Sequence, residues 1–111
     1  MTTEPTLQPL NSCEFVGCVS RTPAGFISRF GKKMARVEIE IPSTDGRGTP
    51  CRVTVLGVND NAEKIAALKF GDRCWIRGRL EGDVVGGRPE VHVHARIVKS
   101  EASELSKSAG A

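Results

Sequence analysis

The sequence predicts an all-β domain: a five-stranded barrel with one short helix between its third and fourth strands. Three observations carry this. Five segments alternate apolar and polar residues with the period of two that half-buried strands show. A single stretch, from Asp60 to the Gly71-Asp72 turn, has apolar residues at helical spacing instead. No internal repeat interrupts that order, and turn-forming residues separate the segments.

Residues 1–9 are polar, hold two prolines, and read as a loose arm. The first strand is expected over 11–20. It is apolar on both faces, with Phe15 and Val19 on one and Val16 and Cys18 on the other. That pattern fits a strand buried on both sides or one that contacts a second subunit. Gly17 would let it bend to serve both halves of a barrel. Arg21-Thr22-Pro23 is expected to end it. Residues 26–30 and 34–41 then form a hairpin around Gly31-Lys32-Lys33. Its second arm alternates, with Ala35, Val37, Ile39 and Ile41 inward and Arg36, Glu38 and Glu40 outward. Residues 42–50, with Asp-Gly and Arg-Gly, form a loop.

The third strand covers 51–58. Asp60 is a natural helix N-cap, with Glu63 three residues on as its capping-box partner. Ala62, Ile65, Ala66 and Leu68 make the apolar stripe of a helix too short to stand without a sheet beneath it. The fourth strand covers 73–80, with Cys74, Ile76, Gly78 and Leu80 inward and Trp75, Arg77 and Arg79 outward. Residues 82–89 are expected to be a flexible hairpin loop. The last strand covers 90–99, with Val91, Val93, Ala95 and Ile97 inward and His92, His94 and Arg96 outward. Residues 100–111 are small and polar and are expected to be disordered.

At 111 residues the chain is one domain, here assigned to 10–99, with a core just large enough to fold alone. It has no apolar run approaching the ~20 residues of a membrane span. Its first residues lack the basic start and apolar middle of a signal peptide, so a cytoplasmic location is expected. The four cysteines match no zinc or redox spacing and read as reduced, half-buried thiols. Net charge is only +3, yet residues 15–37 contain no acid while holding Arg21, Arg29, Lys32, Lys33 and Arg36. Such a region suits a phosphate-binding surface, or a solvated face balanced by Glu38, Glu40 or Glu90 from elsewhere.

Several segments resemble bacterial single-stranded-DNA-binding proteins. They are Asn11, Gly17 and Arg21-x-Pro23 near the start; Arg52-Val53-Thr54-Val55-Leu56-Gly57; and Gly71-Asp72-Arg73-Cys74-Trp75-Ile76-Arg77-Gly78-Arg79-Leu80. The resemblance spans about residues 11–98. It implies an OB-fold, in which the helix plugs one end of a closed five-stranded barrel. It also implies a homodimer or homotetramer that binds single-stranded DNA with little sequence preference and serves replication, recombination or repair. Pro50 stands where the family often has Trp, and Leu56 where it often has Phe. The family's acidic, Phe-terminated tail, which recruits repair and replication enzymes, has no counterpart in a sequence ending Ser-Ala-Gly-Ala. The small size and the Arg21-Thr22-Pro23 junction also resemble primosomal replication protein N, a dimeric OB-fold that acts in replication restart.

Single strands are held by cations on phosphates and flat side chains under bases. The cationic candidates are Arg21, Arg29, Lys32, Lys33, Arg36, Arg52, Arg77, Arg79, Arg88 and Arg96. The stacking candidates are Trp75, then Phe30 and Phe26. Trp75 should face outward between Arg73 and Arg77, as a base platform, a subunit contact, or a ring covered by an arm or tail. Phe30 is a ligand contact or local packing. Phe15 and Phe70 read as core. His92 and His94 share one strand face and suit polar surface or nucleic-acid contact; no further ligand for a shared metal presents itself. No nucleophile beside a base, phosphate cradle or catalytic carboxylate pair appears, so neither an enzyme nor a cofactor is expected. RNA stays open as a ligand, because stacking tolerates either sugar. The rival class is an OB-fold interaction module that touches no nucleic acid. The discriminating question is whether the acid-free stretch and Trp75 share one groove.

Overall fold

In the computed structural model, residues 9–101 are described. The arm expected over 1–9 and the tail expected over 100–111 lie almost wholly outside them. Five strands close into a barrel: β1 (Cys13–Ile27), β2 (Lys33–Ile41), β3 (Cys51–Val58), β4 (Arg73–Val85) and β5 (Arg88–Ser100). Their order around the barrel is β1-β2-β3-β5-β4, with α1 (Asp60–Ala66) between β3 and β4 in the chain. This is the expected OB architecture. All pairings are antiparallel except the short parallel join of β3 to β5 at Val55/Val93 and Leu56/His94.

The inward positions of the strands meet as one core, in which Val19, Ile39, Val55, Ile65, Cys74 and Ile76 are the largest fully buried side chains. Each such aliphatic side chain is worth about 1.5–3 kcal/mol of transfer energy on burial. Ala62, Ile65 and Leu68 seal one end of the barrel, while Ala66, expected in the stripe, faces solvent. Phe15 is half-buried against the core. Phe70 is 72% exposed, not core, because the chain has already left the helix for the Gly71 turn.

β1 does not stop at Arg21-Thr22-Pro23. It runs on to Ile27, and the irregularity is absorbed by register shifts between Val19 and Arg21 and between Arg21 and Ala24. Pro23 sits inside the shift, where no ladder hydrogen bond is needed from its nitrogen. The strand pairs with β4 up to Cys18 and with β2 from Cys18 onward. It thus serves both halves of the barrel. A Cβ on Gly17 would stand 2.5 Å from the Glu40 carbonyl oxygen and 2.6 Å from Ile39 Cγ2, so only glycine admits that crossing. Burial is one-sided: Gly17 and Val19 are inside, while Val16 and Cys18 are exposed. Asn11 extends the β1–β4 edge by mimicking a backbone unit. Its side-chain amide donates to the Leu80 carbonyl, and its oxygen accepts from the Leu80 N–H, both at 2.7 Å.

The helix start also differs from expectation. Asn59, not Asp60, occupies the cap, at φ 56°, and no side chain caps the first turn. Asparagine tolerates that left-handed conformation better than most residues. Glu63 does not turn back to the cap; its carboxylate pairs with Lys33 Nζ at 3.0 Å. Asn61 Nδ2 donates to the carbonyls of Ala95 (3.2 Å) and Arg96 (3.1 Å), tying the helix to β5. A register shift sits there, since Arg77 pairs with Ile97 and Gly78 with Ala95. The extra residue, Arg96, flips the alternation, so Val98 is buried and Ile97 only half so.

The segment expected as a loop over 82–89 is mostly strand. β4 and β5 extend into a long hairpin closed by Gly86 (φ 59°) and Gly87 (φ 80°), the positive-φ pair that a tight two-residue hairpin turn demands. The hairpin outreaches the barrel, which leaves Leu80 and Val91 50% and 69% exposed although both were expected inside. In the 42–50 loop, Asp45 Oδ1 accepts from Ser43 Oγ and the N–H groups of Arg47 and Gly48. These bonds, that from Ser43 foremost, hold its carboxyl below the usual range.

Candidate nucleic-acid interface

A groove of about 600 Å³ runs along the outer face of β2 and β3, between the end of β1 and the β4–β5 hairpin. β1 contributes Arg21, Thr22, Ala24 and Phe26. β2 and β3 contribute Met34, Arg36, Glu38, Thr54 and Leu56. The hairpin contributes Asp83, Val85, Glu90, Val91 and His92. The alternation of β2 creates the floor: with Ala35, Val37 and Ile39 inward, Arg36 and Glu38 must face out.

Two contacts organise the β1–β2 wall. The Arg36 guanidinium lies over the Phe26 ring, 6.0 Å from its centroid, with Phe26 41% exposed. Arg21 Nε stands 3.8 Å from Glu38 Oε1, an oxygen that also accepts from Ser20 Oγ at 2.9 Å. The groove therefore has a cationic, aromatic wall and an opposite lip that carries carboxylates on Asp83 and Glu90.

The other candidates fall around this groove or away from it. Phe30 is 79% exposed on the turn between β1 and β2, with Arg29 5.1 Å from its ring centroid. Lys32 lies on the same turn, which Ser28 Oγ braces by accepting from the N–H groups of Phe30 and Lys32. Lys33 is paired with Glu63, Arg52 with Glu40 at 3.4 Å, and Arg79 with Glu81. Arg77 and Arg96 are exposed on β4 and β5, and Arg88 follows the hairpin turn.

Trp75 is elsewhere. It does face outward, but over a different, largely apolar hollow lined by Val16, Arg73, Cys74, Lys99, Ser100 and Glu101, which shares no residue with the groove. Its indole Nε1–H donates to Glu14 Oε1 at 2.8 Å, and Lys99 Nζ sits 5.3 Å from the ring centroid. So Arg21, Phe26 and Arg36 of the acid-free stretch share one groove, and Trp75 does not join them.

Sequence reasoning did not single out Thr54, Leu56, Val85 or Val91 as groove residues. The outward parity of Thr54 and Leu56 was legible. Val85 was not, because Gly82-Asp83-Val84-Val85-Gly86-Gly87 reads as a loop until the hairpin register is known, and Val91, expected inward on the last strand, is exposed on the part of the hairpin that outreaches the barrel. Burial is the leading cause that holds the His94 imidazole below its ordinary value, with Arg79 next. Among the described residues, no group of three His, Cys, Asp or Glu is placed to hold a metal ion, and no helix is long and apolar enough to cross a membrane.

No protein-family model matches the sequence, and no curated protein does. Solved structures do match. The SSB domain of a Synechococcus protein superposes with a TM-score of 0.69, over 84% of this chain and 98% of that one, at 19% identity. The single-stranded DNA binding protein of Thermus aquaticus gives 0.70 over 82% of this chain at 22% identity, and this chain spans only 40% of that protein's length. The N-terminal domain of PriB from Thermoanaerobacter tencongensis, a dimeric structure, gives 0.65 over 81% of this chain and 94% of that one, at 20% identity. These neighbours are the two kinds of protein that the sequence motifs resemble. At such identities they establish the fold.

Proposed function

We propose that this protein binds single-stranded DNA in the β2–β3 groove with little sequence preference. The observation that carries the reading is the Arg36–Phe26 pair on the groove wall. A planar cation on an exposed ring offers a stacking surface and a phosphate partner at one place. Arg21 extends the cationic wall, and Arg29, Lys32 and Phe30 on the adjacent turn extend it further. Structural kinship with the SSB and PriB domains supports this reading and a role in replication, recombination or repair.

The Trp75 hollow favours a second role, self-association. Its indole edge is occupied by Glu14 and its ring by Lys99, which leaves it poorly placed to receive a base. Val16 and Cys18 lie exposed on the neighbouring strand, an outer face suited to a second copy of the chain.

The test is fluorescence anisotropy of a labelled oligo-dT at low and moderate salt. Binding that weakens with salt and is lost in a Phe26→Ala, Arg36→Ala variant supports the groove. No binding at low salt would instead favour a module that assembles proteins. A labelled oligo-U in parallel decides between DNA and RNA.

A further inference from the structure

Strand pairing lines up outward residues across the sheet. Arg36 on β2 pairs with Leu56 on β3, Leu56 with His94 on β5, and His94 with Arg79 on β4. In the neighbouring rows, Glu38 pairs with Thr54 and His92 with Glu81. Arg36, Leu56 and His92 already line the groove. The row therefore leaves the groove at Leu56 and crosses β5 onto β4.

We propose that the bound strand follows this row, with His92 and His94 as phosphate contacts, and that His94 takes up a proton when the nucleic acid arrives. The proposal rests on the single-stranded-DNA reading above and extends its path. With the His94 imidazole neutral, Arg79, Glu81 and His94 carry no net charge, since Arg79 and Glu81 pair with each other. With it protonated, the same three groups carry one positive charge. His94 is half-buried, so its protonation responds to whatever lies over it.

The charged groups that face them are few. β4 presents Arg79 and Glu81, β2 presents Arg36 and Glu38, and β1 presents Arg21. The hairpin presents Asp83 and Glu90. From β3, Thr54 and Leu56 bring no charge. In the free protein, burial first, then Arg79 and His92, lower the His94 imidazole from its ordinary value against the pull of Glu81. A phosphate laid on the row reverses that balance and favours imidazolium. The bound-state value is then higher than the free-state value. The gain in affinity is present at low pH and is lost as pH rises through the bound-state value.

The experiment is anisotropy of a labelled oligo-dT at fixed low salt, from pH 8 to pH 5.5, above the range where ordinary carboxylates titrate. Affinity should rise by about threefold to tenfold as pH falls from 7.5 to 6. The His92→Gln, His94→Gln variant should give a flat profile. Arg36→Ala should bind more weakly at every pH and keep the slope. Titration calorimetry of the unaltered protein in two buffers of different ionisation enthalpy should register proton uptake, which needs no variant to fold. A flat profile in a protein that binds, or an unchanged slope in the double variant, overturns the proposal and leaves the groove intact. No binding at any pH overturns the groove reading and this one with it.

Discussion

Arg36 and Phe26 come from different strands, two residues out of direct register, because Ala24 pairs with Arg36 and Phe26 with Met34. The diagonal brings guanidinium over ring at 6.0 Å. A base entering the groove meets the aromatic face and the cation together. Phe26→Ala should therefore weaken oligo-dT binding by about 1–3 kcal/mol, the usual cost of one lost stacking partner. Anisotropy titrations checked by thermal melting would separate that loss from unfolding. Phe26 is exposed enough that the fold should survive.

Arg21 and Arg36 should announce themselves through salt. For single strands, each phosphate neutralised contributes about −0.7 to the slope of log K against log salt. Arg36→Ala should make that slope shallower by about one such step. Arg21→Ala should change it less, because Glu38 already faces Arg21 at 3.8 Å. Titrations at four salt concentrations would measure both.

Trp75 separates the two surfaces. A short oligo that fills the groove should leave Trp75 emission unchanged, since the hollow around it shares no lining residue with the groove. It is the only Trp in the chain, so the signal has one source. Val16→Glu should lower the mass seen by sedimentation velocity while oligo binding per chain persists. A heavy quench on adding the short oligo would return Trp75 to the stacking role.

The strand alternation makes most of the barrel legible in the sequence. β3 fell on its expected residues, and Ala35, Val37 and Ile39 turned inward as their parity required. What escaped was set by pairing. The bulge at Arg96 reversed the parity of Ile97 and Val98 because two residues of β5 oppose one step of β4. The Gly86-Gly87 turn drew the glycine-rich segment into the hairpin, and only then did Val85 and Val91 meet β2 and β3 across the groove. Trp75 faces outward, as its alternation with the buried Cys74 and Ile76 requires. Which outward surface it joined depended on barrel closure through β1 and β5, which no local pattern encodes.

Gly17 gives a test of the barrel itself. β1 changes partner at this point, and a Cβ would meet the Glu40 carbonyl oxygen at 2.5 Å. Gly17→Ala should destabilise the fold by about 1–3 kcal/mol, the usual cost of overpacking a tight site. The shift would appear as a lower urea midpoint.

Cys74 links stability to alkaline pH. Burial, the leading cause, pushes its thiol from 9.0 up to about 11. The folded chain therefore holds that proton more tightly than the unfolded chain. The resulting stability is present below pH 9 and should fall away as pH climbs from 9 toward 11. The same burial shields the thiol from reagents, whereas Cys18 and Cys51 are exposed. With an aromatic disulfide at pH 8, Cys51 should react first and Cys74 only with unfolding, as mass spectrometry of digested protein would show. Replacing Cys74 with Ala should remove the alkaline loss of stability and leave oligo binding near neutral pH unchanged, because the side chain points into the core and away from the groove.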